Sequence, residues 1–391
     1  MDKGTIRWIP DAEVSLCRAC GLLFDWVRRK HHCRYVHVQK WRNLELNRGT
    51  NESRNIKTLG HVFCDLCTQF RCLIREDKIL TSPEKRYLSV NAFNPQRVCE
   101  PCYKLLLPDQ AVLCETSSNA VQPNSISESG SKRFLNSPYS FTLREEIRKA
   151  AYSVKNFMYD GVIKDQSIPL PLVTNAKGIA FLTVLKAGFV VTGRVGTGLV
   201  IAKLPDGSWS APSAIATAGI GWGAQIGGGV TDFVIILNTR SAVDTFCAQG
   251  QINMGAELGV AAGPLGRVAA GAMEAGIALR PGGIAPCYSY SHSKGLFIGI
   301  SIEGSIVVAR PDVNREFYGK SVTAAELLSG QERRPVAAQP LYDALLAATQ
   351  SPANGMNRDT FLASNTSNSS SSPSASQSHR QSMPAPSSVA L

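Results

Sequence analysis

The densest chemistry in the chain is the run Arg28-Arg29-Lys30-His31-His32-Cys33-Arg34. Three bases precede two histidines, a thiol and a further base, a composition that packs poorly into a core and suits a shallow pocket for a polyanion. Arginine offers planar forks of N–H donors to phosphate and lysine a mobile point charge. A histidine donates only from the nitrogen that carries its proton, so two adjacent histidines would make anion binding weaken as pH rises through their pKa. Thiol pairs surround the run: Cys17-x-x-Cys20 upstream, Cys64-x-x-Cys67 and Cys99-x-x-Cys102 downstream, with Cys33 single between them. Paired thiolates at this spacing are the usual tetrahedral zinc ligands of a small module that lacks a large apolar core.

The elements that hold these residues must come from 391 residues, enough for two or three domains. The net charge of +11 and pI near 9.2 favour an anionic partner, either nucleic acid or an acidic membrane face. Bases are not interleaved with stacking aromatics, which argues against nucleic acid. Eight of the eleven cysteines lie before residue 103. No secretory leader is visible at the N-terminus, so the thiols read as zinc ligands in a reducing cytoplasm, not as disulfides. No window of 18 uncharged apolar residues occurs, and the longest candidate, 178–193, contains Lys186.

Three strings in order, Trp8-Ile9-Pro10-Asp11, Arg29-Lys30-His31-His32-Cys33-Arg34 and Arg97-Val98-Cys99, make residues 1–112 resemble a FYVE domain. That family is a zinc module of endosomal membranes whose ligand is phosphatidylinositol 3-phosphate. The resemblance implies a headgroup pocket of Asp11, Arg29, Lys30, His31, His32, Arg34 and Arg97, with Asp11 accepting from ring hydroxyls. It places Trp26 and Val27 at a membrane-inserting tip, where tryptophan favours the bilayer interface; Phe24 reads as an ordinary core aromatic. It implies two cross-braced zinc ions, one on Cys17, Cys20, Cys64 and Cys67, the other on Cys33, Cys99 and Cys102. The fourth ligand of the second ion is missing, because the 24 residues Val36–Leu59 stand where the family has a cysteine. They are polar, without helical or strand period, and are either a true insertion or a non-coding segment retained in the sequence. His37 is the nearest substitute ligand. Cys72 and Cys114 fall outside the pairing. A RING-type ubiquitin ligase module, the competing cross-braced reading, lacks its Cys-x-His-x-x-Cys centre and gives the basic run no role.

Residues 113–140, rich in Ser, Asn and Pro, read as a flexible linker that leaves two domains free to orient independently. A second domain, 141–330, opens on Thr142-Leu143-Arg144-Glu145, a capping box. Ile147, Ala150, Ala151, Val154, Phe157 and Met158 follow at helical spacing. With Arg144, Arg148, Lys149 and Lys155 around it, this helix either packs on the domain or lies on a membrane surface. From Gly178 on, glycine-punctuated apolar runs predict many short strands in a curved or barrel-like sheet. Pro205-Asp206-Gly207 is a turn, Phe233–Leu237 a buried strand, Ser241–Cys247 a short helix, and 295–308 further strand.

The strings Leu204-Pro205-Asp206-Gly207-Ser208-Trp209, Asp232-Phe233-Val234-Ile235-Ile236-Leu237-Asn238, Gly263-Pro264-Leu265-Gly266-Arg267 and Gly295-Leu296-Phe297 make this stretch similar to the SYLF domain. The resemblance implies binding to phosphoinositide membranes, to actin filaments, or to both; chains combining FYVE and SYLF domains in this order exist. The glycines of 193–198 and 219–229 lack a Gly-Lys-Ser/Thr ending, and no Ser–His–Asp set is visible, so neither a nucleotide hydrolase nor another enzyme is expected. Residues 331–391 read as a mostly disordered tail, with one short helix over 340–349. The expectation is a multi-domain α+β chain: a small cross-braced zinc module of short strands and a C-terminal helix, then a Gly-rich, β-dominated α+β domain. It would act as a cytoplasmic adaptor, peripheral on endosomal or autophagic membranes. An actin-filament binding or bundling protein addressed to membranes by lipid is the alternative.

Overall fold

The structure, a computed structural model, describes residues 7–35, 58–59, 61–79, 91–126, 136–159, 168–247, 251–261, 274–280 and 283–350. Among the described residues, three two-stranded sheets build the N-terminal part. β1 (Arg7–Trp8) pairs in parallel with β3 (Thr58–Leu59); β2 (Lys30–His32) pairs antiparallel with β4 (Val62–Cys64), and β5 (Phe70–Cys72) with β6 (Gln96–Val98). Two residues of the expected insert thus form a strand, and the rest of it, His37 included, lies outside the described residues. Helix α1 (Glu100–Leu106) starts at Cys99, with Pro101 in its first turn, where the missing N–H costs nothing. The core is thiol and apolar: Cys17, Cys33, Phe63, Ile74, Val98, Cys102 and Leu106 are buried together.

The expected flexible linker is instead built into the body wherever it is described. Helix α2 (Gln110–Ser117) leads to Ser118, Asn119 and Ala120, all buried. The Ala120 N–H donates to Phe317 O at 3.0 Å, and its carbonyl accepts from Ala337 N at 3.0 Å. The Asn119 amide donates to Phe93 O, at 3.2 Å. Polarity misled here: Ser and Asn side chains satisfy buried backbone that would otherwise be orphaned. Residues 1–350 accordingly form one compact unit.

Helix α3 (Leu143–Val154) is capped by Thr142, whose Oγ1 accepts from Glu145 N at 3.3 Å. Its apolar face, Leu143, Ile147, Ala150, Ala151 and Val154, is buried in the main core. Its bases are committed internally: the Arg144 guanidinium donates to the carbonyls of Gln122 and Pro123, and Lys149 Nζ lies 2.9 Å from Glu146 Oε2, both side chains buried. This excludes the membrane-surface reading of the helix.

The strands are few and long, not many and short. β7 (Gly178–Ala202), β8 (Ser213–Leu237), β9 (Gln251–Ala261), β10 (Glu274–Arg280) and β11 (Gly283–Ala309) form one antiparallel sheet in the order β10-β9-β11-β8-β7. Glycine bends these strands without ending the ladder. β7 turns sharply at Gly188 (φ +156°) and Val190 (φ +59°), where its register against β8 shifts. The second half of β7 then lies against the first: a Cβ on Gly196 or Gly198 would run into the backbone carbonyls of Thr183 and Phe181. The bent sheet so packs on itself. Between β7 and β8, Gly207 sits at φ +82° and Leu204 N donates to Ser208 O at 2.8 Å, the expected turn.

Helices α4 (Leu170–Asn175), α5 (Arg240–Cys247), α6 (Pro311–Tyr318), α7 (Ala324–Ser329) and α8 (Gln339–Gln350) complete the unit. The tail boundary at 331 is overturned for its first twenty residues. Leu341, Tyr342, Ala344 and Leu345 of α8 are in the main core, and the Tyr342 hydroxyl donates to Ser210 O at 2.8 Å. A helix is expected over 340–349, but not its burial; its alanines pack where α3 comes close. Residues 351–391 lie outside the described residues.

Candidate metal centres and anion-binding face

β2 and β4 pair so that Lys30 stands opposite Cys64 and His32 opposite Val62. That single ladder ties the basic run to the thiols. The Sγ atoms of Cys17, Cys20, Cys64 and Cys67 all lie within 4.8 Å of one another, and so do those of Cys33, Cys99 and Cys102. Cys64 N donates to Cys17 Sγ at 3.3 Å and Cys99 N to Cys33 Sγ at 3.4 Å. Burial opposes ionisation of Cys17, but N–H bonds from Cys20, Cys64 and Ala19 outweigh it and hold its pKa at about 6. Hydrogen bonds from the Cys102 and Cys99 thiols bring Cys33 down to about 3. A thiolate at the centre of each set is the state that binds a soft cation.

The first set has the number and closeness of donors for tetrahedral zinc; the second offers three thiols among the described residues. Cys72 is buried beside the second set, where burial and the neighbouring Cys33 and Cys99 charges push its pKa up to about 12. It behaves as a packed neutral thiol.

The expected headgroup residues fall into two adjoining groups. Lys30 Nζ donates to Asp11 O at 2.6 Å, and His32 Nε2 lies 2.7 Å from Asp11 Oδ1. In the second group, Arg34 N donates to Arg97 O at 3.0 Å, and Arg97 Nη1 reaches Thr68 O at 3.2 Å. His31 stands between, its Nε2 3.9 Å from Asp65 Oδ1. Burial and the Arg97 charge push its pKa below the ordinary value. Arg29 is exposed at the start of the run. Sequence reasoning missed Arg71, which β5–β6 pairing puts directly opposite Arg97. Like charges so placed repel, and an anion between them relieves the repulsion.

The turn before this run is set by Asp25, whose Oδ1 accepts from Val27 N at 2.9 Å and Arg28 N at 2.6 Å. It leaves Trp26, Val27, Leu22 and Leu23 exposed while Phe24 packs on the thiol core. Among the described residues, no helix is long and apolar enough to cross a membrane.

Residues 218–348 match the family model "Ysc84: Las17-binding protein actin regulator", so a SYLF (Ysc84) domain is present there. An SH3 domain-containing protein of Schizosaccharomyces pombe is 50% identical over 213 residues, 54% of this chain and 49% of that protein. LAS seventeen-binding protein 3 of Saccharomyces cerevisiae is 46% identical over 225 residues, 56% of this chain and 48% of that protein. The human SH3 domain-containing YSC84-like protein 1 is 44% identical over 218 residues, 55% of this chain and 62% of that protein. The chain thus spans about half the length of the curated relatives it matches. No solved structure matches it. The matched segment runs through α8, which agrees with a domain ending near Gln350 and not at residue 330.

Proposed function

We propose that this chain is a non-catalytic adaptor that acts on actin filaments or their regulators through its SYLF domain and is addressed to anionic membranes by its N-terminal module. The observation that carries the actin part is the match of 218–348 to an actin-regulator family, with relatives 44–50% identical, one of which is named as a LAS seventeen-binding protein. Full-length protein is expected to pellet with actin filaments in a saturable way at high speed. Protein left in the supernatant at every filament concentration overturns this part.

A second reading is favoured by the grouping of Lys30 and His32 around Asp11, beside Arg34 and Arg97. The Lys30 and His32 side chains stand next to a carboxylate able to accept from ring hydroxyls, which suits a phosphorylated inositol such as phosphatidylinositol 3-phosphate. Zinc would be structural. Cys17, Cys20, Cys64 and Cys67 would hold one ion, and Cys33, Cys99 and Cys102 three of the four positions around another. With such ions in place β2 is held rigid against β4, and the bases keep their spacing without a large core. Endosomal or autophagic membranes are the corresponding address. Arg29→Ala with Lys30→Ala is expected to abolish selective pelleting with vesicles containing that lipid; unchanged pelleting refutes the pocket.

A further inference from the structure

The N-terminal module meets the rest of the body at helix α6, and arginines gather at that seam. β5 and β6 place Arg71 directly opposite Arg97, so both side chains leave the same face of the ribbon, about 5 Å apart at Cβ. Helix α6 crosses the end of this ribbon. Glu316 Oε1 accepts from Asn94 Nδ2 at 2.9 Å, two residues before β6. Gly319, at φ +78°, comes so close to Leu73, the residue after β5, that a Cβ there would lie 2.6 Å from Leu73 Cδ1. Arg315, one turn before Gly319, is thereby brought beside Arg71. Although Arg71 is exposed as a residue, desolvation of its guanidinium, then the Arg97 and Arg315 charges, push its pKa below the ordinary value; Glu316 acts the other way. The Arg97 and Arg71 charges also act on His31. Three guanidiniums from three elements thus converge where like charges repel.

We propose that Arg71, Arg97 and Arg315 form a phosphate-binding site across the seam between the N-terminal module and the SYLF domain. The donor set chooses the ligand. One guanidinium fork satisfies a carboxylate, whereas three forks match the oxygens of a tetrahedral phosphate. The nearby acids do not take that place: Glu316 is held by Asn94, and Asp65 stands on the His31 side, 3.9 Å from its Nε2. Among the described residues, no carboxylate lies within ion-pair distance of Arg71 or Arg315. Arg97 gives Nη1 to Thr68 O and Oγ1 and keeps its other N–H groups for the anion. Arg97 and Arg315 are half-buried and Arg71 is exposed, so a phosphate reaches the site from solvent. Once there it ties β5 and β6 to α6, and so one domain to the other. The proposal goes beyond the lipid reading, with which it shares only Arg97.

The test is amide hydrogen exchange of the full chain in inorganic phosphate and in chloride at equal ionic strength. Amides of 70–72, 96–98 and 315–319 are expected to exchange more slowly in phosphate, by about tenfold when phosphate is at about ten times its Kd. Arg315→Ala should remove this difference, and Arg315→Lys should keep part of it. Equal exchange of the wild type in the two salts overturns the proposal, a readout that needs no variant to fold. A phosphate effect that survives Arg71→Ala combined with Arg315→Ala overturns it as well. Vesicles of phosphatidylcholine with phosphatidylinositol 3-phosphate then identify the source of the phosphate. Pelleting lowered by Arg71→Ala with Arg315→Ala supports a phosphate carried by the lipid headgroup; unchanged pelleting beside a lost phosphate effect supports a free phosphate. Wild-type protein that ignores these vesicles yet responds to phosphate supports the seam site and removes only the headgroup reading.

Discussion

Lys149→Met tests whether helix α3 belongs to the interior of the body. Lys149 Nζ and Glu146 Oε2 are 2.9 Å apart, and both side chains are buried under the bend of β7. Lys149 also lies 3.4 Å from Thr197 O, and Arg310 adds its charge to the same region. At an effective dielectric near 20, charges 2.9 Å apart attract by about 6 kcal/mol, an upper bound before desolvation is set against it. Removing only the cation leaves a carboxylate in a site that already raises its pKa through burial, and breaking such pairs costs about 3–5 kcal/mol. Lys149→Met should therefore lower the urea midpoint by an amount equivalent to about 3–5 kcal/mol. Glu146→Gln added to it should return most of that loss, because no unpaired charge remains. The assay is equilibrium urea unfolding followed by far-UV circular dichroism. A loss below about 1 kcal/mol for Lys149→Met, the value of a solvated pair, would refute the reasoning and reopen the reading of α3 as a surface helix.

Other outcomes follow from the same geometry. Asp232 is buried, accepts from Thr183 Oγ1 at 2.7 Å and from Asn136 N at 3.0 Å, and its pKa is raised, chiefly by burial. A carboxyl raised on folding binds its proton more tightly in the native state, so its contribution to stability is full below the ordinary carboxylate range and is lost as pH rises through the folded pKa. Urea midpoints of Asp232→Asn, compared with wild type across that range, should lack this component; parallel curves would contradict it. Thr323 forms a full capping box with Glu326 at the start of α7, and Thr323→Ala should cost about 1 kcal/mol in thermal or urea unfolding. Metal analysis should find that Cys64→Ser releases one equivalent of zinc while Cys72→Ser keeps the wild-type content. Equal losses would place Cys72 among the ligands.

Several of these features were legible in the residues alone. The Cys-x-x-Cys spacing, Thr142 three residues before Glu145, and Pro205-Asp206-Gly207 each act within a few residues, so the sequence carries their signal whole. What stayed hidden depends on distant partners. Asn119 reads as linker because nothing in the sequence says that Phe93, Asn94 and Glu316 will surround it. The glycines at 188, 196 and 198 read as strand ends, yet here they let one strand bend and cross itself. Alternation from Leu185 to Val195 marks a strand but not which face is buried; that Thr192 lies inside and Phe189 outside is seen only in the fold. The helix ending at Gln350 was visible as periodicity, but its burial was not.

In the function proposed above, one chain links actin filaments to anionic membranes. The most direct measurement is a recruitment assay with fluorescent actin filaments, full-length protein, and vesicles containing phosphatidylserine and phosphatidylinositol 3-phosphate. Filaments should gather on vesicles only when the protein is present, and should be lost from them with Arg29→Ala and Lys30→Ala combined. Filaments that remain in solution while the protein coats the vesicles would contradict the claim.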